Sequence, residues 1–530
     1  MQTRRDQVQA HRFVVNRLTT GLMRTDPDFP ESPNRRTNMG IAIGVGIGIV
    51  VSIGFLVYGF ISPGGNNTWQ NGKTLIVESG TGNRYLYDGS LRPVRNYASA
   101  KLIVGTGMST RTVPAKSLAN TPRGGAVGIE GAPDTLPKAS ELDNGRWEVC
   151  ATIRTTDSNQ RTAATTLVVD GETPGAGLGA DDALLVTGPD DTHYLIWRGN
   201  RYRLADGTDT AEALGYGASA PMPVSAAFLD GLPAGPDLAP TPVPGQGEAG
   251  PDLDGRETRV GQVFVVQTPG SSERYYLLLR DGLVPLTPTQ AALSLSGPGV
   301  RERAYDGAAP VAVPLTADSL SGRLTGAGSA VENAGKSLPQ NPPTLLPVST
   351  GQAACVRWEG AGGDEQPSGS GDTGGMSVGV ALIDLGGLPA DAKAPTRPAC
   401  VPVDTVAVEP DGGSLVRALG AGGGQIGGTT YLVTETGMKY LIPTPEAAAA
   451  LGYDLATARG LPSTLLAMLP TGPDLSPQSA LTGQPVTSTA PGCAGSGEPE
   501  PETTGRPQTP AAPPAGGPAP GPGEGTVELR

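Results

Sequence analysis

The sequence predicts a single-pass membrane protein. It begins with a short N-terminal cytoplasmic helix and one transmembrane helix. A large exported α+β region follows, made of four degenerate β-hairpin and short-helix repeats around a disulfide-linked central β domain, and a disordered C-terminal tail ends the chain. Three observations carry this. The run MGIAIGVGIGIVVSIGFLVYGFI, residues 39–61, is apolar and free of charge. A strand, a turn and a Tyr-Leu strand recur four times beyond it. Glycine (78) and proline (52) fill about a quarter of the 530 residues while aromatics reach 4%, so the ordered cores should be several and small.

At about 1.5 Å of rise per residue, the apolar run covers a hydrocarbon core of roughly 30 Å. Arg4, Arg5, Arg12, Arg17, Arg24, Arg35 and Arg36 precede it against Asp6, Asp26, Asp28 and Glu31, and nothing is charged between Ile61 and Lys73. The positive-inside bias then places the N-terminus in the cytoplasm and exports everything after about residue 62. A cleaved signal peptide is the other reading. The run is longer than a typical signal core, and SPGGNN after it offers no small-x-small cleavage site. Gly40, Gly44 and Gly48 make small-xxx-small steps that let a neighbouring helix approach, although glycine is common in such helices.

Before the membrane, residues 6–24 place Val8, Val15, Leu18 and Leu22 at near-heptad spacing with Arg12 and Arg17 elsewhere on the wheel. This is an amphipathic helix that rests on membrane lipid or docks on a cytoplasmic partner. The proline-rich connector TDPDFPESPNRR, 25–36, cannot continue it.

The repeats read as TLIVESGTGNRYLYDGSLRPV (74–94), ALLVTGPDDTHYLIWRGNRYRL (183–204), QVFVVQTPGSSERYYLLLRDGLVPL (262–286) and TTYLVTETGMKYLIPTPEAAAALGY (429–453), with Tyr85, Tyr194, Tyr276 and Tyr440 at matching places. Each is a β-hairpin signature. Each copy ends on a proline that opens a short apolar helical turn. The second and fourth share Leu-Gly-Tyr (214–216, 451–453) and Gly-Pro-Asp-Leu (235–238, 472–475). Such small units must lean on neighbours.

The inserts between repeats contain near-mirrored strings, RWEVC ending at Cys150 and CVRWE starting at Cys355. They suggest one central domain pinned by a Cys150–Cys355 bond. Cys400 and Cys493 then pair by elimination, with free thiols or intermolecular pairing as alternatives. The boundaries drawn are 1–38 for the cytoplasmic helix and connector, 39–61 for the span and 62–122 for the first repeat. The central domain takes 123–180 and 321–428, the other repeats 181–238, 260–320 and 429–476, with a linker at 239–259 and the tail at 477–530. The glycine-rich segment 361–375 should be a mobile loop.

Composition and motifs exclude several chemistries. The exported part carries 31 basic and 47 acidic residues, a net charge of -16, with no basic cluster of the kind nucleic acid requires. With only His11 and His193, ordinary zinc spacings are impossible and no catalytic residue, metal or cofactor is assigned. AVENAGKS (330–337) resembles the end of a phosphate-binding loop, but Ala330 stands where that pattern needs glycine and no apolar strand precedes it.

The leader RRDQVQAHRFVVNRL, the DPDFPESPNRR connector, the single span, the four repeats and the two cysteines flanking a central domain together resemble EccB, a core membrane component of the type VII (ESX) secretion system of actinobacteria. The resemblance runs to about residue 480. It implies a structural subunit that assembles with EccC, the translocating ATPase, with EccD and EccE, and with the mycosin protease MycP. It implies that exported domains self-associate and that the leader packs on cytoplasmic parts of its partners. The repeats are similar to a cell-wall-binding phage lysin fold, which implies peptidoglycan contact. Two other readings stand beside the scaffold: a nucleotide hydrolase, as the family is often labelled, with Lys336 as its test residue, and a free-standing cell-wall receptor.

Overall fold

A computed structural model describes residues 4–23, 35–61, 67–142, 145–155, 161–205, 207–325, 330–359, 377–420 and 425–488. The expected mobile loop at 361–375, Cys493 and most of the connector lie outside them. Helix Arg4–Met23 and the 27-residue helix Arg35–Ile61 precede a body with five β-sheets.

Four sheets share one connectivity, in which a three-stranded antiparallel meander is followed by a helix and a fourth strand parallel to the first. In the first unit the strands are Thr74–Ser79, Arg84–Tyr87, Leu91–Pro93 and Ser109–Pro114. The second unit uses Asp182–Thr187, His193–Trp197, Asn200–Arg203 and Met222–Pro223. The third uses Val263–Val266, Arg274–Leu279, Gly282–Leu286 and Val313–Pro314. The fourth uses Gly413–Leu419, Gln425–Thr434, Lys439–Ile442 and Arg459–Pro462.

Each fourth strand ends on proline, which has no N–H to give and so suits an edge. The chain then returns along the opposite edge. The N–H groups of Leu91, Arg201, Leu283 and Lys439 donate to the carbonyls of Pro122, Pro233, Arg323 and Pro470 at 2.7, 2.9, 2.7 and 3.0 Å.

This connectivity changes the expected alignment of the fourth copy. Tyr85, Tyr194 and Tyr276 sit on second strands, whereas Tyr440 sits on a third strand and matches Tyr202. The ring of each packs on the glycine of a Gly-Pro-Asp-Leu string. A Cβ at Gly235 would lie 2.5 Å from Tyr202 and one at Gly472 would lie 2.3 Å from Tyr440. The second strand of the fourth unit carries Tyr431 instead. Leu-Gly-Tyr also has a physical basis: Gly452 caps a helix with positive φ, and Tyr216 and Tyr453 donate to the carbonyls of Pro343 and Pro137, both at 2.7 Å.

Three expected boundaries move accordingly. Gly413–Leu419 opens the fourth sheet, so a division at 428/429 cuts a hairpin. The segment 239–259 is no bare linker, because buried Leu253 joins the core of the third unit. Residues 477–488 are not tail: helix Pro477–Thr482 buries Ala480, and the Gly128 N–H donates to the Ala480 carbonyl at 2.9 Å. Proline and glycine punctuation hid the apolar footholds of both segments.

The central sheet runs Ser377–Asp384, Gln352–Glu359, Arg146–Thr155, Arg161–Gly171, Thr405–Val408. Antiparallel pairing explains the mirrored strings. Trp147 faces Trp358, Glu148 faces Arg357, Val149 faces Val356 and Cys150 faces Cys355, where the disulfide forms across 205 residues. Outside this ladder Arg146 pairs with Glu359 at 3.3 Å. Inside it, fully buried Glu148 meets Arg357 as an ion at 3.2 Å without a hydrogen bond between those two atoms. Glu148 accepts from the Thr173 hydroxyl, and Arg357 donates to the carbonyls of Gly175 and Thr173 at 2.9 and 2.7 Å. Burial pushes the Glu148 carboxyl up, opposed by Thr173 and the Arg357 charge.

Both tryptophans reach out of the sheet to hold a unit. The Trp358 indole donates to the Gly231 carbonyl of the second unit at 2.7 Å and Trp147 donates to Ser414 of the fourth at 3.3 Å. One apolar cluster joins the sheet to Phe228 and Leu229 on one side and Leu465 and Leu466 on the other. The third unit reaches the second through Leu293, and the first reaches the fourth through Ala98 and Leu102.

Within the fourth unit Lys439 is fully buried, its ammonium donating to the Leu466 and Leu469 carbonyls at 2.6 and 2.5 Å. Burial holds it down to about 8.

Three outcomes follow for urea unfolding of the full chain. Replacing Cys150 and Cys355 together by Ala keeps the paired strands but lowers stability by roughly 2–5 kcal/mol, as expected for loss of a long-range link. Arg357→Met leaves Glu148 buried without a counter-charge and costs about 3–5 kcal/mol, and adding Glu148→Leu recovers much of it. For Lys439, the unfolded chain binds the extra proton between about pH 8 and the ordinary lysine value, so stability rises with pH across that window and falls back toward pH 8. A Lys439→Met variant lacks that rise.

Candidate functional site

Among the described residues the chemistry points to surfaces rather than to a reaction centre. Glu148, Cys150 and Cys355 offer ligand atoms within 4.8 Å of one another. The two cysteines are joined to each other, however, and Glu148 is committed to Thr173 and Arg357, so no thiolate is available to a metal. His193 lies at the start of a second strand, half-buried, facing the turn at Gly207.

The stretch that resembles a phosphate loop is a helix, Ala330–Gly335. Buried Val331 packs in the core of the third unit, and the Gln290 side chain donates to its carbonyl at 2.7 Å. A phosphate loop follows a strand and presents its lysine as a helix begins. Here Gly335 and Lys336 come as the helix ends, Gly335 lies against Gln290, and exposed Lys336 donates to Asn333 at 2.9 Å. Among the described residues the Lys336 N–H is itself committed to the Asn333 carbonyl at 3.2 Å, and no cradle of backbone N–H groups forms around the lysine.

The second unit carries a polar groove of about 400 Å³ beside Tyr194, Arg201, Arg203, Asp230 and Asp237. Arg201 pairs with Asp230 at 3.2 Å and Arg203 with Asp237. The positions matching Arg201 in the other units, Leu91, Leu283 and Lys439, are fully buried. The hairpin pattern alone does not reveal the groove, because Asp230 and Asp237 reach Arg201 and Arg203 from a segment about thirty residues later.

The N-terminal elements are the largest uncovered apolar surfaces. On helix Arg4–Met23, Val8, Val15, Leu18 and Leu22 are all exposed, as are Phe13 and Val14. At about 100° per residue Val14 widens the expected stripe, whereas Phe13 lies across the helix from it. Residues 36–58 form a helix that is wholly uncovered, long and apolar enough to cross a membrane. Cβ atoms at Gly40, Gly44 and Gly48 would meet nothing within 4 Å.

The family model described as type VII secretion system ESX-1, transport TM domain B, matches residues 1–488. The chain is 30% identical over 508 residues to the "ESX-3 secretion system ATPase EccB3" of Mycolicibacterium smegmatis, covering 92% of each. It is 29% identical over 492 residues to the "ESX-5 secretion system ATPase EccB5" of Mycobacterium tuberculosis, covering 90% of this chain and 92% of the relative. Its fold matches a chain in the structure of an intact ESX-5 inner membrane complex with a TM-score of 0.59 at 25% identity, covering 92% of this chain and 96% of that one. It also matches the EccB3 dimer from the ESX-3 core complex with a TM-score of 0.58 at 27% identity, over 77% of this chain and 99% of that one. The chain belongs to the EccB family, the membrane proteins that are components of type VII (ESX) inner-membrane complexes.

Proposed function

We propose that this chain is a non-enzymatic scaffold subunit of a type VII secretion inner-membrane complex, assembling with EccC, EccD, EccE and the mycosin MycP. Its N-terminus lies in the cytoplasm and its body outside. The observation that carries the non-enzymatic part is the order of elements at 330–337, where a helix closes at Gly335-Lys336 instead of opening there. The arginine excess before the apolar helix supports the orientation. Two uncovered apolar helices support contact with other subunits, one on each side of the connector. We assign peptidoglycan contact to the groove of the second unit, where arginines and aspartates in near balance beside Tyr194 offer donors and acceptors to a polyhydroxylated polymer.

Two measurements test this. Detergent-purified full-length chain releases no phosphate from ATP above a heat-inactivated control, and Lys336→Ala changes nothing; turnover that disappears on that substitution makes the chain a hydrolase. Gly44→Leu with Gly48→Leu leaves insertion intact but weakens co-purification of the complex, because the added side chains keep a neighbouring helix away. Undiminished assembly in that variant reduces the helix to an anchor.

A further inference from the structure

Charge is unevenly spread over the body. Residues 67–127 carry eight basic side chains against Glu78 and Asp88, in a chain of net charge -13. Three of the eight are ion-paired and a fourth, Lys101, is bound by the fourth unit. Arg84 pairs with Asp134 at 2.6 Å, Arg92 with Asp88 at 3.4 Å and Arg95 with Glu130 at 3.4 Å, and Lys101 donates to the Leu451 carbonyl at 3.0 Å. The other four, Lys73, Arg111, Lys116 and Arg123, are exposed and make no ion pair among the described residues.

Three of these, Arg111, Lys116 and Arg123, surround one face of the first sheet, and Lys73 stands at its edge. Ile76, Tyr85 and Val113 line that face, covered by Trp69 and Leu118. Arg111 is two residues before Val113 on the same strand and so shares its face. Arg123 lies over the Tyr85 ring at 4.9 Å, and Lys116 belongs to the helix Ala115–Leu118 that brings Leu118 down. Lys73 adjoins the same edge, its carbonyl accepting from the Ser109 N–H at 3.1 Å. Glu78, the acid on this face, accepts from the side chains of Thr81, Asn83 and Tyr85 at 2.7, 3.2 and 3.5 Å and also feels the charge of Arg123, so Arg123 is the most nearly balanced of the four.

The same face receives the chain from the apolar helix. Arg111 donates to Thr68, seven residues beyond Ile61, and Asn67–Trp69 lies against the sheet. The link from Ile61 to Asn67 reaches about 20 Å when fully extended. The unpaired cations are thus tethered close to the bilayer surface, while the paired Arg84, Arg95 and Lys101 face the rest of the body.

We propose that this face of the first unit, with Lys73, Arg111, Lys116 and Arg123, docks on anionic phospholipid headgroups of the leaflet on the body's side. Short-range attraction of this kind gains roughly fivefold in association for each lysine or arginine at the surface and is weakened by salt. Docking fixes the tilt of the body against the membrane. It rests on the apolar helix being a membrane anchor, which is tested separately below.

The full-length chain is reconstituted in nanodiscs of phosphatidylglycerol or of phosphatidylcholine, and amide hydrogen exchange is followed over residues 109–118. Retention of the chain in both discs through a high-salt wash tests the anchor; a chain that washes out overturns anchor and docking together. Docking predicts exchange at least about tenfold slower in phosphatidylglycerol at low salt, with the difference abolished by Arg111→Glu with Lys116→Glu while strand 146–155 exchanges as before. Equal exchange in the two lipids, or protection that survives the charge reversal, overturns it. Protection in both lipids that grows with the number of copies per disc assigns the face to a second copy and overturns lipid docking.

Discussion

The antiparallel register that sets Arg146–Cys150 against Cys355–Glu359 is the constraint on which the body depends. It joins two stretches about two hundred residues apart, setting tryptophan opposite tryptophan, a buried glutamate opposite its arginine, valine opposite valine and cysteine bonded to cysteine. A one-residue slip would turn every one of these side chains to the opposite face, away from its partner. The ladder therefore specifies its own alignment. Its tryptophans then fix the second and fourth units by donating to Gly231 and Ser414, so register in the centre determines where the units stand.

The units themselves could not stand alone. Each offers four or five short strands and a few short helices, and a sheet of that size with few aromatics hides too little surface to fold independently. Their remedy is shared cores: Leu293 of the third unit completes the second, and Ala98 and Leu102 of the first complete the fourth. The body is a row in which the central sheet holds the inner pair and each inner unit holds an outer one. The first unit, at one end of that row, is also the one joined to the membrane helix.

Much of this was legible in the residues. The apolar helix was visible because twenty uncharged residues have few other uses, and the Cys150–Cys355 bond because mirrored strings are what an antiparallel ladder looks like when written out. Family membership rested on the leader and connector. What was not legible has a common cause: hairpin signals carry no label for which hairpin of a meander they are. Tyr440 reads as the counterpart of Tyr194 although its edge contacts match Tyr202, and the first strand of the fourth unit reads as part of the central domain. The basic face of the first unit was hidden by a net charge that is negative overall. The groove beside Arg201 was hidden because its neighbours on the sheet edge come from a segment more than thirty residues later. Glycine and proline misled at 239–259 and 477–488, where single leucines or alanines were enough to seat the chain.

The central ladder supports every unit, directly or through its neighbour, and native-state hydrogen exchange under increasing denaturant tests that dependence most directly. The dependence predicts that amides of strands 182–187 and 413–419 open with the same free energy as those of 146–155, and that reducing the Cys150–Cys355 bond lowers all three together. Units that open independently of the central strands, or that keep their protection when the ladder is loosened, would contradict it.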